Sequence, residues 1–221
     1  MLTVHHLNES RSHRILWLLE ELGLPYEIKY YQRDPHTRAA PVELKNIHPL
    51  GKSPVVSGDD GAVVAESGAI IDYIIRRYGE GRLQPLPASP EYDDYVYWLH
   101  YAEGSAILPF IMKSTVNGLS FVLRRGHSSA GPLERHVEEE IGNHMSYIDA
   151  SLGERNYLLG DALTAADIQL SFVGEQASKA TDMTRYPNVE AWLQRLKERP
   201  AYQSALARGE LADAAAPGAQ K

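Results

Sequence analysis

Two hydrophobic periods alternate over the first third of the chain. Leu2, Val4 and His6 recur at every second position, the spacing of a short strand with one buried face. In SRSHRILWLLEELGLP the period changes. Ile15, Leu18, Leu19 and Leu22 follow helical spacing, Gly23 suits a C-terminal cap and Pro25 stops the helix. Tyr26, Ile28 and Tyr30 return to the strand period. A polar stretch containing Pro35 and Pro41 precedes the short apolar run of Val55 and Val56. Gly58-Asp59-Asp60-Gly61 then reads as the turn of a hairpin leading into Ala62 to Ala65. Ser67 opens another helix, with Ile70, Ile71, Ile74, Ile75 and Tyr78 facing inward and Gly79 closing it. The expected order is βαβ, an irregular segment, then ββα.

Between Gly79 and Pro90 stand Pro85, Pro87 and Pro90 with two glycines, a composition that blocks helix continuation and stiffens a connection. Beyond it the strand pattern disappears. Helical spacing predicts helices over 91–117, 133–152, 165–180 and 188–208, with a Gly- and Ser-containing break around Gly126 to Gly131. The ending LADAAAPGAQK is small and polar and reads as frayed. The expected division is an α/β domain over 1–80, a linker over 81–90, an all-α domain over 91–210 and a flexible tail over 211–221.

Composition narrows the functional classes. A net charge of −7 and the lack of any basic run argue against nucleic acid, which rewards clustered Lys and Arg with counterion release. The absence of cysteine removes disulfides, thiolate metal sites and a cysteine nucleophile, and fits a reducing compartment. MLTVHHLNES lacks the basic and apolar regions of a secretory signal. No stretch approaches the roughly 18 apolar residues of a membrane span. The expectation is a soluble cytoplasmic protein with neither a membrane nor a nucleic-acid partner.

Several segments then carry a resemblance. NIHPLGKSPVV followed by AESGAIIDYI resembles the glutathione-binding signature of cytosolic glutathione transferases. HHLNESRSHRILWLLEELGLPYEIKYYQRD is similar to a serine-type bacterial and fungal subgroup of that superfamily, and WLHYAEGS and GDALTAADI extend the likeness into the helical half. The resemblance implies a thioredoxin-like N-terminal domain followed by an all-helical C-terminal domain. It also implies glutathione as co-substrate, a small hydrophobic electrophile as second substrate, no metal and a homodimer. Within the family, the residue before a cis-proline pairs its backbone with the cysteinyl part of glutathione; here these are Ser53 and Pro54. Glu66 and Ser67 match the pair that receives the γ-glutamyl end. A carboxylate can meet its ammonium, and a serine at a helix start can offer hydroxyl and N–H to its carboxylate. Lys52 matches a position near the glycine carboxylate, and Arg33, in the YQRD stretch, is a weaker binding candidate.

Glutathione brings the nucleophile, so an enzyme without cysteine can still perform thiol chemistry. A free thiol ionises near pH ~8.5, and a hydroxyl donating to the sulfur lowers that value. The positive end of a helix dipole acts in the same direction. Both requirements place the donor in Asn8-Glu9-Ser10-Arg11-Ser12. Ser10 is the first candidate, Ser12 the alternative because serine is also a common N-cap, and Asn8 a third. The resulting activity would be conjugation of the thiolate to small hydrophobic electrophiles, with peroxidase activity toward organic hydroperoxides as a second use. The competing class is a non-catalytic glutathione or apolar-ligand binding protein of the same fold.

Other features read as structural. His5 and His6 are adjacent on a strand and point to opposite faces, so they cannot share a metal. His100 and His136 lack companion ligands at zinc-site spacing. Thr164 and Asp167 have the form of a helix capping box. Tyr97, Tyr101, Ser105 and Pro109 recur at helical spacing and could line a second substrate site, although such stripes more often serve as core or dimer contact.

Overall fold

The computed structural model describes residues 1–123 and 131–215. The break expected around Gly126 to Gly131 lies almost wholly outside the described residues, as do residues 216–221 of the expected tail. By packing, the chain divides into two units, one formed by residues 1–89 together with Leu196 onward, the other by residues 90–195.

In the first unit, β1 (Leu2–Leu7), β2 (Tyr26–Tyr31), β3 (Val55–Gly58) and β4 (Val63–Ala65) form one sheet in the order β2-β1-β3-β4. β1 runs parallel to β2, with Leu2 opposite Tyr26, and antiparallel to β3, with His5 opposite Val55. The hairpin pairs Val55 with Ala65. The β1–β2 crossover is α1 (Ser12–Leu22), and α2 (Ser67–Tyr78) follows β4. Gly23 ends α1 at φ 63°, a left-handed conformation that glycine adopts without steric cost. This is the thioredoxin-like arrangement expected of the N-terminal domain.

The final helix, α8 (Pro200–Ala215), also belongs to this unit. The sequence pattern predicts one helix over 188–208, but Pro200 lacks the N–H that would continue it and divides the segment into α7 (Pro187–Lys197) and α8. α8 runs on to Ala215, into the segment expected as tail. Its packing explains a discrepancy in α1. The pattern gives α1 one apolar face, yet Ile15, Leu16, Trp17, Leu18 and Leu19 are all fully buried. The sheet covers one side and α8 covers the other, where Trp17 meets Tyr202 edge-on with ring centroids 5.2 Å apart. Burying a side chain of this size stabilises by about 1.5–3 kcal/mol, so this second face adds materially to the core.

Two carboxylates anchor α8. Glu21 receives Nε and Nη2 of Arg199 at 2.6 and 2.8 Å and the Trp17 indole N–H at 2.8 Å. Glu20 receives Arg208 at 2.8 Å, Ser204 at 2.8 Å and the Tyr26 hydroxyl at 2.6 Å. These donors outweigh burial and hold the Glu20 carboxyl below its ordinary value.

The second unit is helical: α3 (Glu91–Tyr101), α4 (Leu108–Leu123), α5 (Pro132–Leu152), α6 (Ala165–Ala180) and most of α7. A wide helical turn over Ala102–Ala106 interrupts the expected 91–117 helix, and the extra residue in that turn shifts the register between Tyr101 and Pro109. Tyr97 and Tyr101 stack 5.5 Å apart on α3, and Tyr101 bonds His144 of α5 at 2.7 Å. Two acidic side chains organise the rest. Asp149 of α5 accepts the first N–H groups of α7, from Asn188 and Val189, at 2.8 and 3.0 Å. Asp167 and Thr164 form the expected capping box, with Asp167 Oδ2 accepting the Thr164 N–H and hydroxyl, both at 2.9 Å.

Candidate active site

One end of the sheet gathers most of the candidates. Continuing the antiparallel register past His5 and Val55 carries the end of β1 toward Pro54 and Ser53. Continuing the hairpin register past Val55 and Ala65 brings Glu66 and Ser67 to the same end. The β1–α1 loop starts there, so Ser10, Ser53 and Ser67 converge although distant in sequence.

Ser53 precedes Pro54 through a cis peptide bond. The ladder begins only at Val55, so the Ser53 backbone groups enter none of the strand pairs. The Ser53 hydroxyl donates to the His5 carbonyl at 2.8 Å and lies 3.4 Å from Ser10 Oγ. Lys52 is exposed beside them.

The two candidate serines differ sharply. Ser10 is half-buried; its Oγ accepts the Ser12 N–H at 3.2 Å and lies 2.7 Å from Ser12 Oγ. Ser12, the first residue of α1, is fully buried. Its hydroxyl is 2.9 Å from His6 Nδ1 and 3.3 Å from the Leu7 carbonyl, which it can donate to. The end of α1 therefore presents Ser10 outward and uses Ser12 inside.

Arg33 holds this loop in shape. Its backbone N–H donates to Asn8 Oδ1 at 2.8 Å. The guanidinium donates to the carbonyls of Asn8 at 3.2 Å, Arg38 at 3.0 Å and Glu9 at 3.4 Å. Glu9 sits at φ 50° and pairs with Arg38. Both Arg33 and the Asn8 side chain are thus occupied with the loop's own backbone.

At the start of α2, Glu66 is exposed with φ 72° and ψ 121°, a conformation that costs a non-glycine residue on the order of 1–3 kcal/mol. The bend turns the chain so that Ser67 is buried at the helix N-terminus, where it accepts a hydrogen bond from Arg14 Nη1 at 3.2 Å.

Sequence reasoning passed over Arg14 and His6. Arg14 is almost fully buried on α1. A charged residue one helical turn before Leu18, on the core-facing side, was the available signal, since arginine is seldom buried without a role. His6 stood in the strand's apolar register, which was the corresponding signal for a histidine with an internal partner. Burial, with a smaller contribution from His13, lowers the His6 imidazole to about 4. It is neutral at physiological pH.

The arrangement offers a hydroxyl at a helix N-terminus, an unpaired backbone edge and a second helix N-terminus, all on one surface of the first unit. Known proteins share this framework. Residues 1–76 match the family described as glutathione S-transferase, N-terminal domain, and residues 127–208 match glutathione S-transferase, C-terminal domain. Glutathione S-transferase 3 of Schizosaccharomyces pombe is 36% identical over 91% of this chain and 85% of its own length. A solved glutathione S-transferase from Actinobacillus pleuropneumoniae superposes with a TM-score of 0.77 at 36% identity, covering 95% of this chain and 93% of that one. A sphingomonad glutathione S-transferase solved in complex with glutathione has the same fold, with a TM-score of 0.74 at 22% identity over 95% of this chain and 99% of its own. Through both halves of its sequence and its fold, the chain belongs to the glutathione S-transferase family.

Proposed function

We propose that the chain conjugates glutathione to small hydrophobic electrophiles, with Ser10 stabilising the thiolate. The observation that carries this reading is the contrast between the serines: Ser10 is half-exposed at the start of α1, whereas Ser12 is fully buried against His6 and Leu7. Of these two serines, Ser10 is the one that combines access to a ligand with the helix N-terminus.

In this reading the Ser53 backbone edge pairs with the cysteinyl residue of glutathione. The α2 N-terminus with Ser67 receives the γ-glutamyl carboxylate, Glu66 its ammonium, and Lys52 the glycine carboxylate. Arg33 keeps the Ser10 loop in place. The thiol proton leaves to solvent, the Ser10 hydroxyl donates to the sulfur anion, and the helix dipole adds to the stabilisation. The thiolate attacks an electrophilic carbon, forming a C–S bond as the leaving group departs with its electron pair. The same thiolate can attack the peroxide oxygen of an organic hydroperoxide. That step releases the alcohol and a glutathione sulfenic acid, which a second glutathione converts to the disulfide and water. Association as a homodimer in the cytoplasm completes the proposal.

The test is the rate of conjugation of glutathione to an aromatic halide. Ser10→Ala is expected to lower kcat/KM by about 10- to 100-fold, the loss of one hydrogen bond to a charged group. Ser12→Ala should lower it only a few-fold. Equal rates for wild type and Ser10→Ala, with glutathione still bound, would refute the serine mechanism.

A further inference from the structure

The serine hydroxyls form one branch of a longer chain. His6 Nδ1 lies 2.9 Å from Ser12 Oγ, and Ser12 Oγ lies 2.7 Å from Ser10 Oγ. Each hydroxyl has one proton, so the direction of each bond constrains the next. For Ser10 to donate outward, its two lone pairs can take the Ser12 N–H and the Ser12 hydroxyl proton. Ser12 then has no proton left for His6. Two lone pairs would face each other at 2.9 Å unless His6 itself carries a proton on Nδ1. In the other tautomer Ser12 donates to His6, and Ser10 Oγ turns its proton inward to Ser12, away from the ligand.

We infer that His6 is a positioning residue for thiolate stabilisation: its Nδ1–H donates to Ser12, which donates to Ser10, leaving the Ser10 proton directed at the glutathione sulfur. The inference rests on the Ser10 reading above. It assigns His6 a donor role and not that of a base. A base suited to a thiol would titrate near neutrality, whereas burial holds this imidazole far below. The neutral ring has a single proton, so its tautomer sets the polarity of the whole chain. The other nitrogen faces α8: a Cβ added at Gly209 would stand 3.5 Å from His6 Nε2, within ordinary van der Waals contact of the ring. The Leu7 carbonyl, 3.3 Å from Ser12 Oγ, offers the competing acceptor. With no donor at position 6, Ser12 can give its proton to Leu7 and draw the Ser10 proton to itself.

The pKa of enzyme-bound glutathione, read from thiolate absorbance against pH, tests the chain. His6→Leu should raise it by about 0.5–1 unit and lower kcat/KM about 3- to 10-fold with KM for glutathione unchanged. His6→Asn, whose amide N–H can stand near the Nδ1 position, should recover most of the loss. In a Ser10→Ala background, His6→Leu should cause no further shift, because the chain no longer reaches the sulfur. Independent, additive shifts would show that His6 acts only through the fold and would overturn the inference. Wild-type protein supplies a second readout free of folding effects. Heteronuclear NMR of the ring nitrogens in the glutathione complex should find His6 protonated on Nδ1, and protonation on Nε2 alone would overturn the inference. If Ser10→Ala itself leaves the bound thiol pKa unchanged, the Ser10 reading fails first, and the two failures are distinguishable.

Discussion

The beginnings of α1 and α6 use similar residues for opposite purposes. At α6 the capping side chains are consumed internally. Thr164 and Asp167 close the capping box, and Asp167 Oδ1 also accepts the Leu158 N–H at 2.9 Å and the Trp192 indole at 3.0 Å. At α1 the N-cap residue, Arg11, makes no side-chain cap bond, and Ser10 remains half-exposed in a chain of hydroxyls whose direction can reverse. A fully satisfied helix start has one arrangement and supports the fold. A start with two hydrogen-bond polarities can respond to a ligand, which is where thiol chemistry is expected.

The largest test of this contrast removes the α6 carboxylate. Asp167→Ala strands the Leu158 and Thr164 N–H groups and the Trp192 indole in a fully buried site. It should cost about 3–5 kcal/mol in urea denaturation. A loss below about 1 kcal/mol would show that the box is not a principal fastening of its unit. Burial pushes the Asp167 carboxyl up against the pull of its four donors, so Asp167→Asn, which removes the charge and retains the shape, should cost less.

Acid should weaken the two starts differently. Burial lowers both His6 and His13 to about 4, against 6.5 for free histidine. Between these values the unfolded chain binds protons that the folded chain refuses, so stability is present above pH 6.5 and falls as the pH falls toward 4. The loss from pH 6.5 to 5 should be on the order of 1.5 kcal/mol per histidine, measured as a shift in denaturation midpoint. His13→Gln should remove one histidine's share of it. An unchanged pH slope in that variant would contradict the assignment. Asp167, shifted upward, contributes with the opposite sign.

The α1 start should in turn separate activity from stability. Ser10→Ala is expected to lower conjugation 10- to 100-fold while moving the denaturation midpoint by less than about 0.5 kcal/mol. Thr164→Ala should do the reverse, costing about 1 kcal/mol of cap stability with activity per folded molecule unchanged. If Ser10→Ala unfolds the protein as readily as it inactivates it, the division of roles between the two helix starts is wrong.

What the sequence revealed follows from the range of the interactions involved. The periods of Leu2 to His6, of Ile15 to Leu22 and of Ile70 to Tyr78 are local, and β1, α1 and α2 appear where they predict. The capping box at Thr164 is a four-residue motif and was equally legible. The second buried face of α1 was not, because Trp17 and Leu16 are covered by a helix nearly two hundred residues away. The wide turn at Ala102–Ala106 was signalled only by Gly104 and Ser105, which weaken a helix without dictating an extra residue in its turn. Pro200 was visible and should have divided the last predicted helix. At the candidate site, sequence could nominate Ser10 and Ser12 together, since a cap and a donor use the same residue type. Separating them requires the burial of Ser12 and its contacts with His6 and Leu7, which depend on how β1 and α1 meet.

The smallest expected effect concerns the far end of α1. Arg199 meets Glu21 there through two parallel hydrogen bonds, with side chains 31% and 9% exposed. Arg76 and Asp72 on α2 form a single contact and are 59% and 45% exposed. Water screens the second pair, so Arg76→Ala should change stability by less than about 0.5 kcal/mol. Arg199→Ala should cost about 1–2 kcal/mol, because Glu21 keeps the Trp17 indole but loses its charge partner in a mostly dry site. The decisive readout is the bound-glutathione pKa in Arg199→Ala. α8 meets α1 at both ends, through Arg199 at the C-terminal end and through Gly209 beside His6 near the start. If loosening the Arg199 clamp leaves the thiol pKa unchanged, the fastening of α8 and the tuning of Ser10 are separate functions of one helix pair. A shift comparable with that of His6→Leu would mean that α8 sets the polarity of the hydroxyl chain through its overall placement, and the roles of the two ends of α1 would have to be merged.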